Sequence, residues 1–114
     1  EWADKFKAKT GSRPSFAHAA NYSAAMNYLE AVQAAGTDNS DAVVKNLEGK
    51  EINDFFLRHG KIRAEDHSVI HDAYLAEVKP KSEVKEDYDY EKILTTIPAD
   101  KAFKPVSEST CKMG

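Results

Sequence analysis

Apolar positions along the chain fall into three helical stretches and then change period. Residues 2–9, WADKFKAK, place Trp2 and Phe6 one turn apart, and Gly11 and Pro14 stop the helix. The most regular segment, FAHAANYSAAMNYLEAVQAAG, runs over 16–36. In it Tyr22, Ala25, Met26, Leu29, Val32 and Gln33 recur at helical spacing, and Gly36 is a natural stop. Its many alanines predict close approach of neighbouring backbones, hence packing on more than one side. A third helix is capped by Asn39 or Ser40, carries Asp41 in its first turn, buries a stripe of Val43, Val44 and Leu47, and ends at Gly49.

Beyond Gly49 the pattern shortens. INDFF (52–56) and Lys61-Ile62-Arg63 flank Arg58-His59-Gly60, which reads as a hairpin or strand–turn element. Over 69–78, Ile70, Tyr74 and Val78 fit a helix. Equally, Ile70, Tyr74, Ala76 and Val78 fit one strand face, with Val69, Ala73 and Leu75 on the other. Apolar residues on both faces describe a buried sheet strand, and Pro80 ends it. A strand with no neighbours leaves its backbone groups unpaired, so its sheet is expected to lie outside this chain. An acidic connector, PKSEVKEDYDYE, leads to a short helix predicted over 90–97, a turn begun by Pro98, and an irregular tail. The fold class is therefore α/β, mostly helical, with a short hairpin and one or two sheet strands.

Composition narrows the function. The 114 residues suit one modest domain, with 41% hydrophobic and 31% charged residues. A net charge of −3, with lysines interspersed among acids, gives no basic stripe and argues against nucleic acid as a partner. No apolar run reaches the length of a membrane span. Cys111, three residues from the end in a Ser/Thr-flanked tail, has no second cysteine in the chain to pair with.

Candidate chemistry is sparse. His67 and His71 in RAEDHSVIHD are four residues apart, a spacing that puts both imidazoles on one face of a helix or of a strand. A zinc site needs a third and fourth ligand, and on a strand Asp66 and Asp72 point away from their histidine neighbours. The favoured reading is a polar strand beginning, with a small metalloenzyme as a distant alternative. No nucleophile triad order, glycine-rich phosphate loop or zinc-protease motif is present, so no catalytic residue is assigned. The acids Glu86, Asp87, Asp89 and Glu91 lack the glycine and spacing of a calcium loop and read as a solvated face. No metal ligand and no cofactor are expected.

The order of the pieces nevertheless resembles a known family. KAKTGSRPSFAHAANYSAAMNYLEAVQAAGT, then DAVVKNLEG, the glycine turn with KIRAEDHS, and HDAYLAEVK together resemble the C-terminal third of a type I periplasmic solute-binding protein. That class serves ABC importers of branched-chain amino acids and related ligands. The tail KILTTIPADKAFKPVSESTC is similar to an extension in the subset associated with aromatic and other carboxylate ligands. The resemblance implies a fragment of a two-lobed fold: residues 1–49 in one lobe, 50–66 as a turn and hinge crossover, 67–79 as a strand of the other lobe, and 80–114 as a C-terminal extension. It implies ligand contacts at Phe16 and His18 and, by position, Asn21 and Tyr22. Phe16 also reads as a packing staple and His18 as a partly exposed polar residue. The implied partners are a small carboxylate or amino-acid ligand and a membrane permease. The implied compartment is the periplasm, reached with a signal peptide that this chain does not include, where Cys111 would need a partner cysteine upstream. Exposed apolar surface on the strand and the alanine-rich helix predicts self-association. The rival reading is a self-associating helical interaction domain.

Overall fold

A computed structural model describes residues 1–111. Helix α1 (Trp2–Thr10) ends at Gly11, whose φ of 81° suits a residue without Cβ. Helix α2 (Phe16–Ala35) follows, then α3 (Ser40–Leu47), where the Asn39 side chain accepts the Ala42 N–H at 3.2 Å. Strands β1 (Glu51–Ile52), β2 (Gly60–Ile62) and β3 (Val69–Ile70) form a small antiparallel sheet in that order. Strands β4 (Ala73–Val78) and β5 (Glu91–Ile97) form a separate antiparallel ribbon, and α4 (Ala99–Ala102) closes onto β3.

The core lies where α2 and α3 meet the first strand. Its buried apolar residues among those described are Ala31, Val43 and Ile52. The hairpin expected at 52–63 is present, with Ile52 opposite Gly60. A Cβ at Gly60 would sit 2.9 Å from the Ile52 carbonyl oxygen, so the close approach of β1 and β2 requires glycine there.

Four sequence expectations need correction. In α2 the buried line is Ser23, Asn27 and Ala31, while Tyr22, Met26 and Leu29 are about half exposed. The polar pair is buried at little cost because it is satisfied: Ser23 Oγ donates to Asp54, and Asn27 Nδ2 donates to the Ser23 carbonyl at 2.9 Å. As its alanines predict, α2 packs on more than one side: α3, the 50–57 segment and, through His18 and Tyr22, α1. In α3, Val43 is buried but Val44 is 40% exposed.

The single strand expected over 69–78 is two strands. The chain turns at His71-Asp72, so Val69 and Ile70 pair with β2 while 73–78 pair with β5. Nor is it buried: Tyr74, Leu75 and Val78 are exposed. The fourth correction explains the third. Residues expected to form a helix at 90–97 are β5, the partner strand expected to lie elsewhere. Ile93, Thr95, Thr96 and Ile97 are β-branched, and this density favours a strand over one helical turn.

Candidate functional site

The loop entering α2 is built from the Ser15 cap. The Ser15 N–H donates to His18 Nδ1 at 3.1 Å, and Ser15 Oγ lies 2.9 Å from the same nitrogen. Because Nδ1 accepts, the neutral imidazole carries its proton on Nε2, on the outward edge of an exposed ring. The ring also packs on Phe6 of α1, with centroids 5.1 Å apart. Phe16 is 81% exposed, so it staples nothing within this chain.

At about 100° per residue, His18 and Tyr22 fall one turn apart on the α1 side of α2, and Phe16 falls elsewhere. The side chains bear this out. Tyr22 meets Trp2 at 5.6 Å and Phe55 edge-on at 5.6 Å, while Trp2 stacks on Phe55 with centroids 4.6 Å apart. Phe16 lines a groove of about 490 Å³ on the other side of that stack, together with Pro14, Phe55, Phe56 and Arg58. Asn21 turns back on its own helix, Nδ2 donating to the Ala17 carbonyl at 2.8 Å. His18 and Tyr22 therefore join one aromatic cluster, Phe16 lines a groove beside it, and Asn21 joins neither.

Sequence reasoning missed Trp2 and Phe55 as the centre of this cluster. The apolar pattern puts Phe55 in an extended segment, but Asp54 forms a turn before it. Asp54 Oδ1 accepts the N–H groups of Phe56 and Leu57, each at 2.8 Å. Asn53-Asp54 is the signal that marks such a turn. Burial pushes the Asp54 carboxyl up, but the Ser23 hydroxyl and these N–H donors outweigh it and hold the group below its ordinary value. Behind the loop, Arg13 bridges Asp4 (Nη1 to Oδ1, 3.4 Å) and Glu86 (Nη2 to Oε2, 3.2 Å) and so ties the α1–α2 loop to the acidic connector.

The paired histidines part company. His67, in a turn with φ of 56°, has Nε2 3.0 Å from Glu48 Oε1, whereas His71 has Nδ1 2.8 Å from the Asp72 carbonyl and its ring against Phe103. No three His, Cys, Asp or Glu side chains are gathered to hold a metal ion among the described residues. Cys111 is exposed.

A family model described as periplasmic binding protein matches residues 1–84. The chain belongs to that family. A crystal structure of a periplasmic binding protein from Burkholderia mallei is 46% identical, with a TM-score of 0.91 over 98% of this chain and 29% of that one. The periplasmic ligand-binding protein of a branched chain amino acid ABC transporter from Burkholderia xenovorans is 38% identical, with a TM-score of 0.90 over 97% of this chain and 29% of that one. An amino acid ABC transporter substrate-binding protein from Pseudomonas fluorescens is 27% identical, with a TM-score of 0.83 over 96% of this chain and 28% of that one. A comparison with curated proteins gives no match. The chain thus spans about 29% of the length of the first two of these solved proteins. The structural likeness extends over nearly the whole chain, so the β4–β5 ribbon belongs to the periplasmic binding protein architecture and not only the residues up to 84.

Proposed function

We propose that this chain is part of the extracytoplasmic solute-binding component of an ABC importer. It contributes one wall of a cleft that takes a small carboxylate-bearing solute: a branched-chain or other amino acid, or an aromatic acid. The observation that carries the reading is the close likeness of the whole chain to solved periplasmic binding proteins, two of them described as serving amino acid ABC transporters. The site adds chemistry to it. An exposed aromatic edge at Phe16, the Nε2 proton of His18 and the dipole of the α2 N-terminus together suit a carboxylate beside an apolar group.

In this reading residues 1–49 belong to one lobe, 50–66 approach the hinge, and 67–79 pass toward the other lobe, with 80–114 as an extension. Ligand that touches both lobes selects the closed state, which the membrane permease then receives. The protein works in the periplasm after removal of a signal peptide, and the role is binding without catalysis.

The test is a thermal-shift screen of the complete protein that carries this chain, with aliphatic amino acids set against aromatic acids. Ligand at a hundred times its Kd adds about 2.7 kcal/mol of stability, a shift of several degrees. Phe16→Ala and His18→Ala are expected to weaken binding of the responding ligand about tenfold or more, and Asn21→Ala to leave it within about twofold. A shift from neither ligand class sinks the function. A shift unaffected by Phe16→Ala and His18→Ala sinks the site alone.

A further inference from the structure

The chain crosses twice between the helix-and-sheet body and the β4–β5 ribbon, once at His71-Asp72 and once at Ile97-Pro98-Ala99. The ribbon's last paired residues are Ala73 and Ile97, so the next opposed position sets Asp72 against Pro98. Proline has no N–H, and the ladder cannot continue through it. The next donor along that strand, the Ala99 N–H, goes to the Asp72 side chain, with Oδ1 accepting at 3.2 Å. The other carboxylate oxygen, Oδ2, lies 2.7 Å from His59 Nδ1, on the turn between β1 and β2. The Asp72 N–H itself donates to the Arg58 carbonyl at 3.3 Å.

One largely buried carboxylate, 12% exposed, therefore gathers both crossings and the β1–β2 turn. Within this chain both faces of the ribbon are largely exposed. Beside the carboxylate, the crossings are tied by α4 on β3, the His71–Phe103 ring contact and the Arg63–Lys104 hydrogen bond, and the far end by the Arg13–Glu86 pair. His59 adopts a φ of 50°, a left-handed conformation that a non-glycine residue takes at a cost.

We propose that Asp72, with His59, is a positioning clamp that locks the two crossings together and fixes the orientation of the β4–β5 ribbon on the body of the molecule. The inference rests on the fold and stands whether or not the ligand reading holds. In the two-lobed movement proposed above, the clamp makes both crossings move as one unit. Releasing it frees the ribbon to reorient while its own ladder stays paired.

Residual dipolar couplings of the complete protein test this, because they report the orientation of the ribbon amides relative to those of α2. In the unsubstituted protein both sets are expected to fit one alignment tensor. In Asp72→Ala the ribbon couplings shrink to half or less of their fitted size, while α2 couplings hold. Amide exchange at Ala99 rises about tenfold or more, and exchange at Ile62, which donates to the Lys50 carbonyl, does not change. Asp72→Asn retains an acceptor for Ala99 and falls between. If Asp72→Ala does not fold, His59→Ala decides: its ring is 78% exposed, so its removal leaves the core intact. Full-size ribbon couplings on a single tensor in the folded variants overturn the proposal, as does exchange that rises uniformly across the chain.

Discussion

Arg63 and Asp66 show how much of a turn's definition rests on one ion pair. Arg63 Nε donates to Asp66 Oδ1 at 2.8 Å and Nη2 donates to Oδ2, a two-point contact, while Asp66 Oδ1 also accepts the Ser68 N–H at 3.0 Å. Arg63 reaches further, Nη1 donating to the Lys104 carbonyl at 2.8 Å, so the β2–β3 turn and the tail share a partner. The guanidinium, helped by the Ser68 donors, holds the Asp66 carboxyl well below the usual aspartate range. A carboxyl lowered in the folded state stabilises the fold above its unfolded value, 3.8, and loses that contribution as pH falls. Thermal stability followed from pH 7 to pH 2 should therefore show Asp66→Asn less stable than the parent at neutral pH, with the gap closing below about pH 4. A constant gap at all pH values would show that the charge pair is not its source. At the core, Val43 is 2% exposed, and Val43→Ala is expected to cost about 1.5–3 kcal/mol in urea unfolding. The same change at Val44, 40% exposed, should cost well under half as much.

At the level of elements, helices were more legible than strands. Caps and stops at Gly11, Asn39 and Gly36 are local, and α1, α2 and α3 begin and end close to where those residues place them. What local pattern cannot supply is the identity of a partner. Tyr22, Met26 and Leu29 look like a buried stripe because they are large and apolar, yet Ser23 and Asn27 take the buried side since Asp54 and a helix carbonyl satisfy them. Strand β5 was missed for a similar reason: its pairing with β4 spans an acidic connector with no turn signal of its own. The resemblance puts forward Phe16, His18, Asn21 and Tyr22 as the candidate site, whereas Trp2 and Phe55 come together only through folding of α1 against the 53–56 turn. The β1–β2 hairpin carries its own prediction. Gly60 is buried, and an added Cβ meets backbone that cannot swing aside. Gly60→Ala is expected to cost about 1–3 kcal/mol and to accelerate exchange of the Ile62 and Gly49 amides first, since both hydrogen bonds close this sheet onto the end of α3. Unchanged exchange at those amides would show that β1 and β2 separate without loss.

For the whole molecule, the decisive property is how little of its apolar surface the chain covers by itself. Phe16, Leu29, Tyr74, Leu75, Val78, Ile93 and Leu94 are all more than 48% exposed, and they lie on both faces of the ribbon and on the open side of α2. A cavity of about 360 Å³ lies between the buried side of α2 and the small sheet, lined by Ala20, Ser23, Asn27, Leu47, Phe56 and Val69. Apolar area of this extent is uncommon on a monomer in water, and each edge of a two-stranded ribbon leaves backbone groups ready to pair. The solved relatives have more than three times this chain's length, so surface exposed here has chain available to cover it there. Expressed alone, the 114 residues are therefore expected to self-associate at micromolar concentration, with α2 and the ribbon at the contact. Sedimentation velocity checks this: the weight-average mass should rise with concentration, and Leu75→Lys with Ile93→Lys should bring it back toward the monomer. A monomer across the micromolar range in the parent chain would mean that the exposed residues are too scattered to act as one surface. Full dissociation by a change confined to α2 would place the contact on the helix and leave the ribbon free.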